Sequence, residues 1–141
     1  MNLHIRELFR PRPGNRYLLV CKQMSRLKDE LESMLDEVEA ELIVSLDEQQ
    51  LLRLKPREYD VVLLQDVFLT LDDKQRALKT IYTSLANAGY IVLLEKKGAL
   101  VLEDTYELLQ HHEFRSPNNI DIVGGYDLII GKKMHMWGAG L

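Results

Sequence analysis

The sequence predicts a three-layer α/β sandwich with a mostly parallel sheet and a C-terminal antiparallel hairpin. Nearly continuous apolar runs at residues 60–64 and 90–94 are typical of strands buried on both faces, which are usually parallel and covered by helices. An amphipathic segment separates these runs, which makes a strand–helix–strand unit. Two β-rich runs at residues 120–123 and 126–130 flank a glycine pair, a pattern that predicts the hairpin.

The elements before this unit alternate between strand and helix. Residues 1–15 form an N-terminal arm, with a short helix predicted over 1–9, and residues 16–21 form a buried strand. Ser25 is placed to cap a helix that continues to about residue 38, because apolar residues recur there at three- and four-residue spacing. Residues 41–46 predict the next strand. Asp47 then begins a short helical segment that Pro56 ends.

The helix of the central unit is predicted over residues 72–88. Asp72 or Asp73 can cap its start, and Gly89 is placed to cap its end in a left-handed conformation. A further helix is predicted over residues 102–111, before the hairpin. The tail, residues 134–141, is rich in Met and Gly, contains Trp137, and has no organising pattern.

Composition restricts the classes of function. A chain of 141 residues with 46% hydrophobic and 28% charged residues is most simply one globular domain. Its net charge of −4 argues against a nucleic-acid partner, which would require a basic face. No apolar run is long enough to span a membrane, so no membrane partner is expected. The single cysteine, Cys21, excludes an internal disulfide and favours a cytoplasmic location.

The order of these elements resembles that of two protein families. The opening strand and helix, followed by Y-D-V-V-L-L at residues 59–64, resemble response-regulator receiver domains. Receivers, however, carry a phospho-accepting aspartate where Gln65 stands, and they end in a helix. The motifs E-L-I-V-S-L-D, Y-D-V-V-L-L and S-L-A-N-A-G-Y-I-V-L-L, followed by the closing G-G-Y-D-L-I-I-G-K-K, resemble class I S-adenosylmethionine-dependent methyltransferases over more of the chain.

The methyltransferase resemblance implies a Rossmann-like fold, S-adenosylmethionine as cofactor, and methyl transfer to an acceptor. It implies that Asp47, with Leu46 and Gln65, contacts the cofactor, and that Asp66 is the candidate catalytic residue. Each acidic residue has a structural alternative, because Asp47 can cap the helical segment after it and Asp66 can cap the turn at residues 69–71. No metal site is expected: His111, His112 and Glu113 are adjacent, so the two histidines do not share one helical face.

The family's glycine-rich cofactor loop has no counterpart in this sequence. If residues 16–21 are the family's first strand, the loop that follows has no glycine; if they are its second strand, the first is absent, and the spacing from Asp47 to Asp60 favours the second assignment. A non-catalytic interaction module on the same fold is therefore the alternative function. It would form a homo-oligomer through an exposed edge of the sheet. A receiver-like domain without a phosphoacceptor is the third.

Overall fold

The computed structural model describes residues 5–134 as one six-stranded mixed sheet. The strands are β1 (Arg16–Cys21), β2 (Glu41–Ser45), β3 (Tyr59–Gln65), β4 (Leu85–Lys96), β5 (Phe114–Asn119) and β6 (Tyr126–Lys133). Their order is β2-β1-β3-β4-β6-β5, with parallel pairing from β2 to β4 and antiparallel pairing from β4 to β5. The predicted fold class, a mostly parallel sheet with a C-terminal antiparallel pair, is confirmed.

Helices cover both faces of this sheet. The helices are α1 (Arg26–Asp36), α2 (Lys74–Ser84) and α3 (Leu102–His111). One core lies under α2 and α3, and the other lies under α1 and the N-terminal arm. Side chains of β1 alternate between these cores, with Leu18 and Val20 in the first and Leu19 and Cys21 in the second. Both faces of β1 are therefore buried, as the continuous apolar run predicts.

The N-terminal arm packs against the protein. Ile5 and Phe9 are almost fully buried in the core under α1, and the Phe9 ring meets Tyr17 edge-on at 5.5 Å. The described part of the predicted helix is only a 3-10 turn, Ile5–Glu7. The remainder of that helix, residues 1–4, and the tail at residues 135–141 lie outside the described residues.

Gly89 does not end α2, so its predicted role as a helix cap is wrong. The helix stops at Ser84, and Leu85 already pairs with Tyr59 as the first residue of β4. The chain then bulges before pairing resumes at Tyr90. A β-carbon on Gly89 would lie 2.7 Å from the carbonyl oxygen of Asp60. Glycine is required here because the backbones of β3 and β4 approach too closely for a side chain.

The predicted two-residue hairpin is also wrong in detail. The strand that pairs with β6 is Phe114–Asn119, and residues 120–123 are not part of it. Val123 is instead buried in the core under α1. The side chain of Asn119 accepts a hydrogen bond from the Leu128 amide at 3.2 Å, which takes the place of a backbone bond at the end of β5. Burial of the apolar loop therefore overrides its tendency to form a strand.

The strand order agrees with β1 being either the first or the second strand of the sheet in the family that the sequence resembles. In the parallel part 3-2-1-4-5 of a doubly wound order, loss of strand 1 or loss of strand 3 leaves four strands in the arrangement β2-β1-β3-β4, with β2 at the edge and β1 beside β3. The choice between the two assignments stays a prediction. No helix among residues 5–134 is long and apolar enough to cross a membrane.

We expect Gly89→Ala to destabilise the protein by about 1–3 kcal/mol, because the added methyl group must displace the backbone of β3 or β4. The midpoint of urea denaturation measures the change. Gly14→Ala is the matched control: its β-carbon has open space, although its φ of +83° costs about 1–2 kcal/mol for a side chain. A loss below about 1 kcal/mol for Gly89→Ala would refute the close approach.

Candidate functional site

A cleft of about 550 Å³ lies at the carboxyl ends of β1, β3 and β4. The sheet changes direction between β1 and β3. From β1 the chain passes through α1 to β2 on one side, whereas from β3 it passes through α2 to β4 on the other side. Ligands of open α/β sheets bind at such a switch point. The lining comes from the ends of four strands and the loops after them: Cys21, Lys22, Gln23, Ser25, Gln65, Asp66, Leu69, Thr70, Glu95, Lys96, Ala99 and Tyr126.

A buried carboxylate forms part of the floor of this cleft. Glu95, near the end of β4, is only 6% exposed, and its Oε2 accepts a hydrogen bond of 3.4 Å from the Leu69 amide. Burial raises the pKa of Glu95, and the negative charge of Asp66 raises it further. The 3-10 turn Phe68–Thr70 supplies the Leu69 amide and lies against β4.

Asp66 sits directly after β3 in a left-handed conformation, with a φ of +56°. Its amide donates to the Leu94 carbonyl at 2.9 Å, which extends the bonding between β3 and β4 by one residue. The Tyr126 hydroxyl donates to Asp66 Oδ2 at 3.2 Å. Burial, then the charge of Asp66, raises the pKa of Tyr126. Tyr126 thus remains a neutral donor and fixes the orientation of the carboxylate.

Gln65 joins the two sides of the switch point. It is 4% exposed, and its Oε1 accepts a 3.0 Å hydrogen bond from the Ser25 hydroxyl. Ser25 occupies the N-cap position of α1 but makes no side-chain bond to the helix, so its predicted capping bond is wrong. Its hydroxyl instead connects the loop after β1 to the end of β3.

The rim of the cleft carries the opposite charge to the floor. Lys22, on the glycine-free loop after β1, and Lys96, at the end of β4, are both exposed there. The positive charge of Lys22 opposes the rise in the pKa of Glu95, although burial has the larger effect. The cleft is therefore dipolar, with carboxylates below and ammonium groups above, and can accept a ligand that carries both charges.

Asp47 and Leu46 lie outside the cleft lining. The Asp47 carboxylate accepts a 2.9 Å bond from the Gln49 amide and caps the 3-10 helix Glu48–Leu52, and Leu46 is 55% exposed. Asp47 thus caps the helical segment after it, which is the structural alternative to a cofactor contact. The predicted roles of Asp47, Leu46, Gln65 and Asp66 in binding or catalysis stay predictions. Of these four residues, the structure brings only Gln65 and Asp66 into the cleft.

Tyr126 and the burial of Glu95 were missed from the sequence. Tyr126 begins β6, which runs antiparallel to β4 and pairs with Lys96, so its side chain arrives at the edge where β4 ends. The predicted hairpin already indicated that residue 126 would begin an antiparallel strand. Nothing local signals the burial of Glu95, because it depends on a turn 26 residues earlier in the chain.

The histidine pair belongs to the end of α3. His111 and His112 meet edge-on at 5.2 Å, and His112 Nε2 has no hydrogen-bond partner. Burial lowers the pKa of His112, and His111 and Lys79 lower it further. Within the described residues, no group of three or more His, Cys, Asp or Glu side chains could hold a metal ion.

A model of a family described as "Methyltransferase domain" matches residues 19–93. No curated protein matches the chain. The final helix of a receiver domain is not observed among residues 5–134, where β6 is the last element of secondary structure.

Solved structures share the fold at low sequence identity. A SAM-dependent methyltransferase from Aquifex aeolicus has a TM-score of 0.72 and 11% identity, covering 91% of this chain and 87% of that one. Phosphoethanolamine N-methyltransferase 2 of Haemonchus contortus, in complex with S-adenosyl-L-methionine, has a TM-score of 0.69 and 10% identity, covering 93% and 51%. Human N-acetylserotonin methyltransferase, in complex with SAM, has a TM-score of 0.62 and 14% identity, and the match covers 84% of this chain and 48% of that one. The chain thus spans about half the length of these last two proteins.

We expect Glu95→Gln to be more stable relative to the wild type at pH 7.5 than at pH 4. A carboxyl group whose pKa is raised on folding stabilises the native state below its unfolded pKa, about 4.3, and loses that contribution as pH rises through the folded pKa. Urea denaturation at both pH values measures the difference. Glu107→Gln, an exposed position on α3, is the matched control. A pH-independent difference for Glu95→Gln would contradict the assignment of a desolvated carboxylate.

Proposed function

Since the chain belongs to the methyltransferase-domain family, we propose that its cleft at the carboxyl ends of β1, β3 and β4 binds S-adenosylmethionine. The observation that carries this proposal is the dipolar arrangement of Asp66 and Glu95 below Lys22 and Lys96. The cofactor is charged in a matching way, with a sulfonium, an ammonium and a carboxylate group. A volume of about 550 Å³ is also typical of sites for ligands of this size, roughly 300–1,000 Å³.

The floor carboxylates would hold the cationic groups. Asp66 is fixed by Tyr126, and Glu95 is fixed by the Leu69 amide, so little ordering of either side chain is needed on binding. A ligand cation would also offset the cost of burying Glu95 beside Asp66. Lys22 stands on the glycine-free loop after β1, and its ammonium would contact the ligand carboxylate.

Methyl transfer to an acceptor is the reaction that follows from this site. S-adenosylmethionine would supply an electrophilic methyl group bonded to sulfur. Asp66 would orient the acceptor and take the proton that the acceptor releases. The acceptor's lone pair would form the bond to the methyl carbon as the methyl–sulfur bond breaks, and S-adenosylhomocysteine would leave. The Tyr126 hydroxyl would keep the Asp66 carboxylate in one orientation. Positioning of this kind provides much of the rate in group-transfer reactions. The cytoplasm is the proposed location, on the grounds of a single cysteine.

Calorimetric titration of S-adenosylmethionine and S-adenosylhomocysteine into the purified protein tests the proposal. We expect micromolar binding of S-adenosylmethionine. Asp66→Asn should weaken it about fivefold to tenfold, roughly 1–1.4 kcal/mol, but should weaken S-adenosylhomocysteine less, because that product lacks the sulfonium charge.

Further variants separate the predicted contacts. Lys22→Gln should weaken both ligands, whereas Lys55→Gln, an exposed lysine outside the cleft, is the matched control. Asp47→Ala tests the remaining predicted cofactor contact. The absence of heat at millimolar ligand would reject binding, and equal losses for both ligands in Asp66→Asn would reject a contact between its charge and the sulfonium.

A second candidate function is self-association through β2. Among residues 5–134, this edge strand pairs only with β1, and Leu42–Ser45 are partly buried. Unpaired backbone groups beside partly exposed apolar side chains are a site for pairing with another strand. We propose a second copy of the chain as the partner, consistent with a homo-oligomer.

Size-exclusion chromatography with light scattering tests this association. We expect a concentration-dependent dimer, and we expect Val44→Lys to shift it to monomer because a charge on the edge opposes strand pairing. Met134→Lys, the same kind of change at a position 42% exposed and outside the sheet edge, should leave the dimer intact. A wild-type protein that is monomeric at every concentration would reject the proposal.

A further inference from the structure

An apolar groove of about 220 Å³ lies beside the cleft, between the turn Phe68–Thr70 and α3. Its surface includes two apolar side chains that remain exposed to solvent, Leu69 at 42% and Val101 at 65%. Exposure of large apolar side chains next to a concave surface is typical of a binding groove. The lining residues are mostly apolar, with three polar ones at the margin: Phe68, Leu69, Lys74, Ala99, Leu100, Val101, Asp104, Thr105 and Leu108.

The groove and the cleft are continuous. Leu69 and Ala99 line both of them. The Leu69 amide also donates to Glu95 Oε2, so the residue that forms the boundary touches the floor of the cleft through its backbone and the groove through its side chain. A molecule lying in the groove can therefore present one end to the carboxylates of the cleft.

Both walls of the groove are held in place by hydrogen bonds. The Lys74 ammonium donates to the carbonyl oxygens of Leu71 at 3.1 Å and Leu69 at 3.4 Å, which fixes the turn on one side. On the other side, the buried Asp127 carboxylate accepts a 3.0 Å bond from the Gly98 amide, next to Ala99. The groove is thus preformed, which lowers the entropic cost of binding.

We propose that this groove holds the apolar body of the methyl acceptor, with its nucleophilic group at the Leu69–Ala99 boundary. This assignment rests on the proposed function of the cleft. The acceptor would be a small aryl or alkyl compound with one polar end. A dry apolar cavity of about 150 Å³ binds benzene, so a groove of about 220 Å³ has room for one substituted ring.

The size of the groove argues against a protein partner as its occupant. A stable protein interface covers roughly 800 Å² on each partner. Here the exposed large apolar surface consists of Leu69 and Val101, and charged or polar groups flank them. A single ring or short alkyl chain matches this surface, and its contact with both side chains would remove them from water.

The test is a titration of 4-methylphenol into protein labelled at Leu, Val and Ala methyl groups, followed by NMR, with and without S-adenosylhomocysteine. We expect shifts at Leu69, Ala99 and Val101. Leu69→Gln and Val101→Ser should each weaken binding about threefold to tenfold, since each removes apolar contact area. Met134→Gln, with the same 42% exposure as Leu69, is the control. Both altered side chains are exposed, and thermal melting will verify that the variants fold.

The outcomes separate this inference from the proposed function. The expected result is shifts from S-adenosylhomocysteine in the cleft and from 4-methylphenol in the groove, with tighter binding of 4-methylphenol in the presence of S-adenosylhomocysteine. This result would support both the cofactor cleft and the acceptor groove. Binding of S-adenosylhomocysteine alone would overturn the acceptor groove and leave the cofactor cleft. Binding of 4-methylphenol alone would overturn the cofactor cleft, and the groove would no longer be an acceptor site. Shifts centred on β2 would show that the phenol binds the exposed sheet edge, which also overturns the groove.

Discussion

The burial of β3 and β4 on both faces of the sheet determines where the polar groups of the site lie. From Val61 to Leu64 and from Ile91 to Leu94, every side chain must be apolar because each face is covered by a helix or the arm. The next residues along the two strands are therefore the first that can be polar: Gln65 and Asp66 on one, and Glu95 on the other. Parallel pairing brings these positions to the same edge, and the constraint of burial thereby assembles an acidic site.

This arrangement has an energetic cost in the free protein. Glu95 is desolvated and lies near Asp66, and both effects disfavour its ionised form. A fold selected only for stability would place an apolar residue at this position, because replacing buried charge by apolar contact is often stabilising. Under the proposed function, a ligand whose positive charge compensates the two carboxylates would offset this cost.

Sequence patterns predicted those elements whose structure depends on residues near them in the chain. Continuous apolar runs located β1 and β3 to within one residue, and helical spacing gave the bounds of α3. Predictions failed where contacts distant in sequence decide the outcome. Gly89 follows a helical pattern and resembles a cap, but the carbonyl of Asp60 across the sheet explains why it is glycine. Residues 120–123 have strand composition, yet the regular pairing with β6 ends at Asn119, and Val123 is buried in the core under α1 and the arm.

The candidate site was only half predictable for the same reason. Gln65, Asp66 and Glu95 follow directly from the ends of apolar runs. The burial of Glu95 and the contact of Tyr126 depend instead on a turn and an antiparallel strand that the sequence does not place beside them. The absent glycine loop then has a physical consequence. Backbone amides bind a carboxylate at short range, whereas exposed ammonium groups such as Lys22 act through charge and are screened by salt. Recognition in this cleft would therefore depend on electrostatics more than recognition by a glycine-rich loop does. The charged groups around the switch point, more than the shape of the loop, would determine whether this member of the family holds its cofactor.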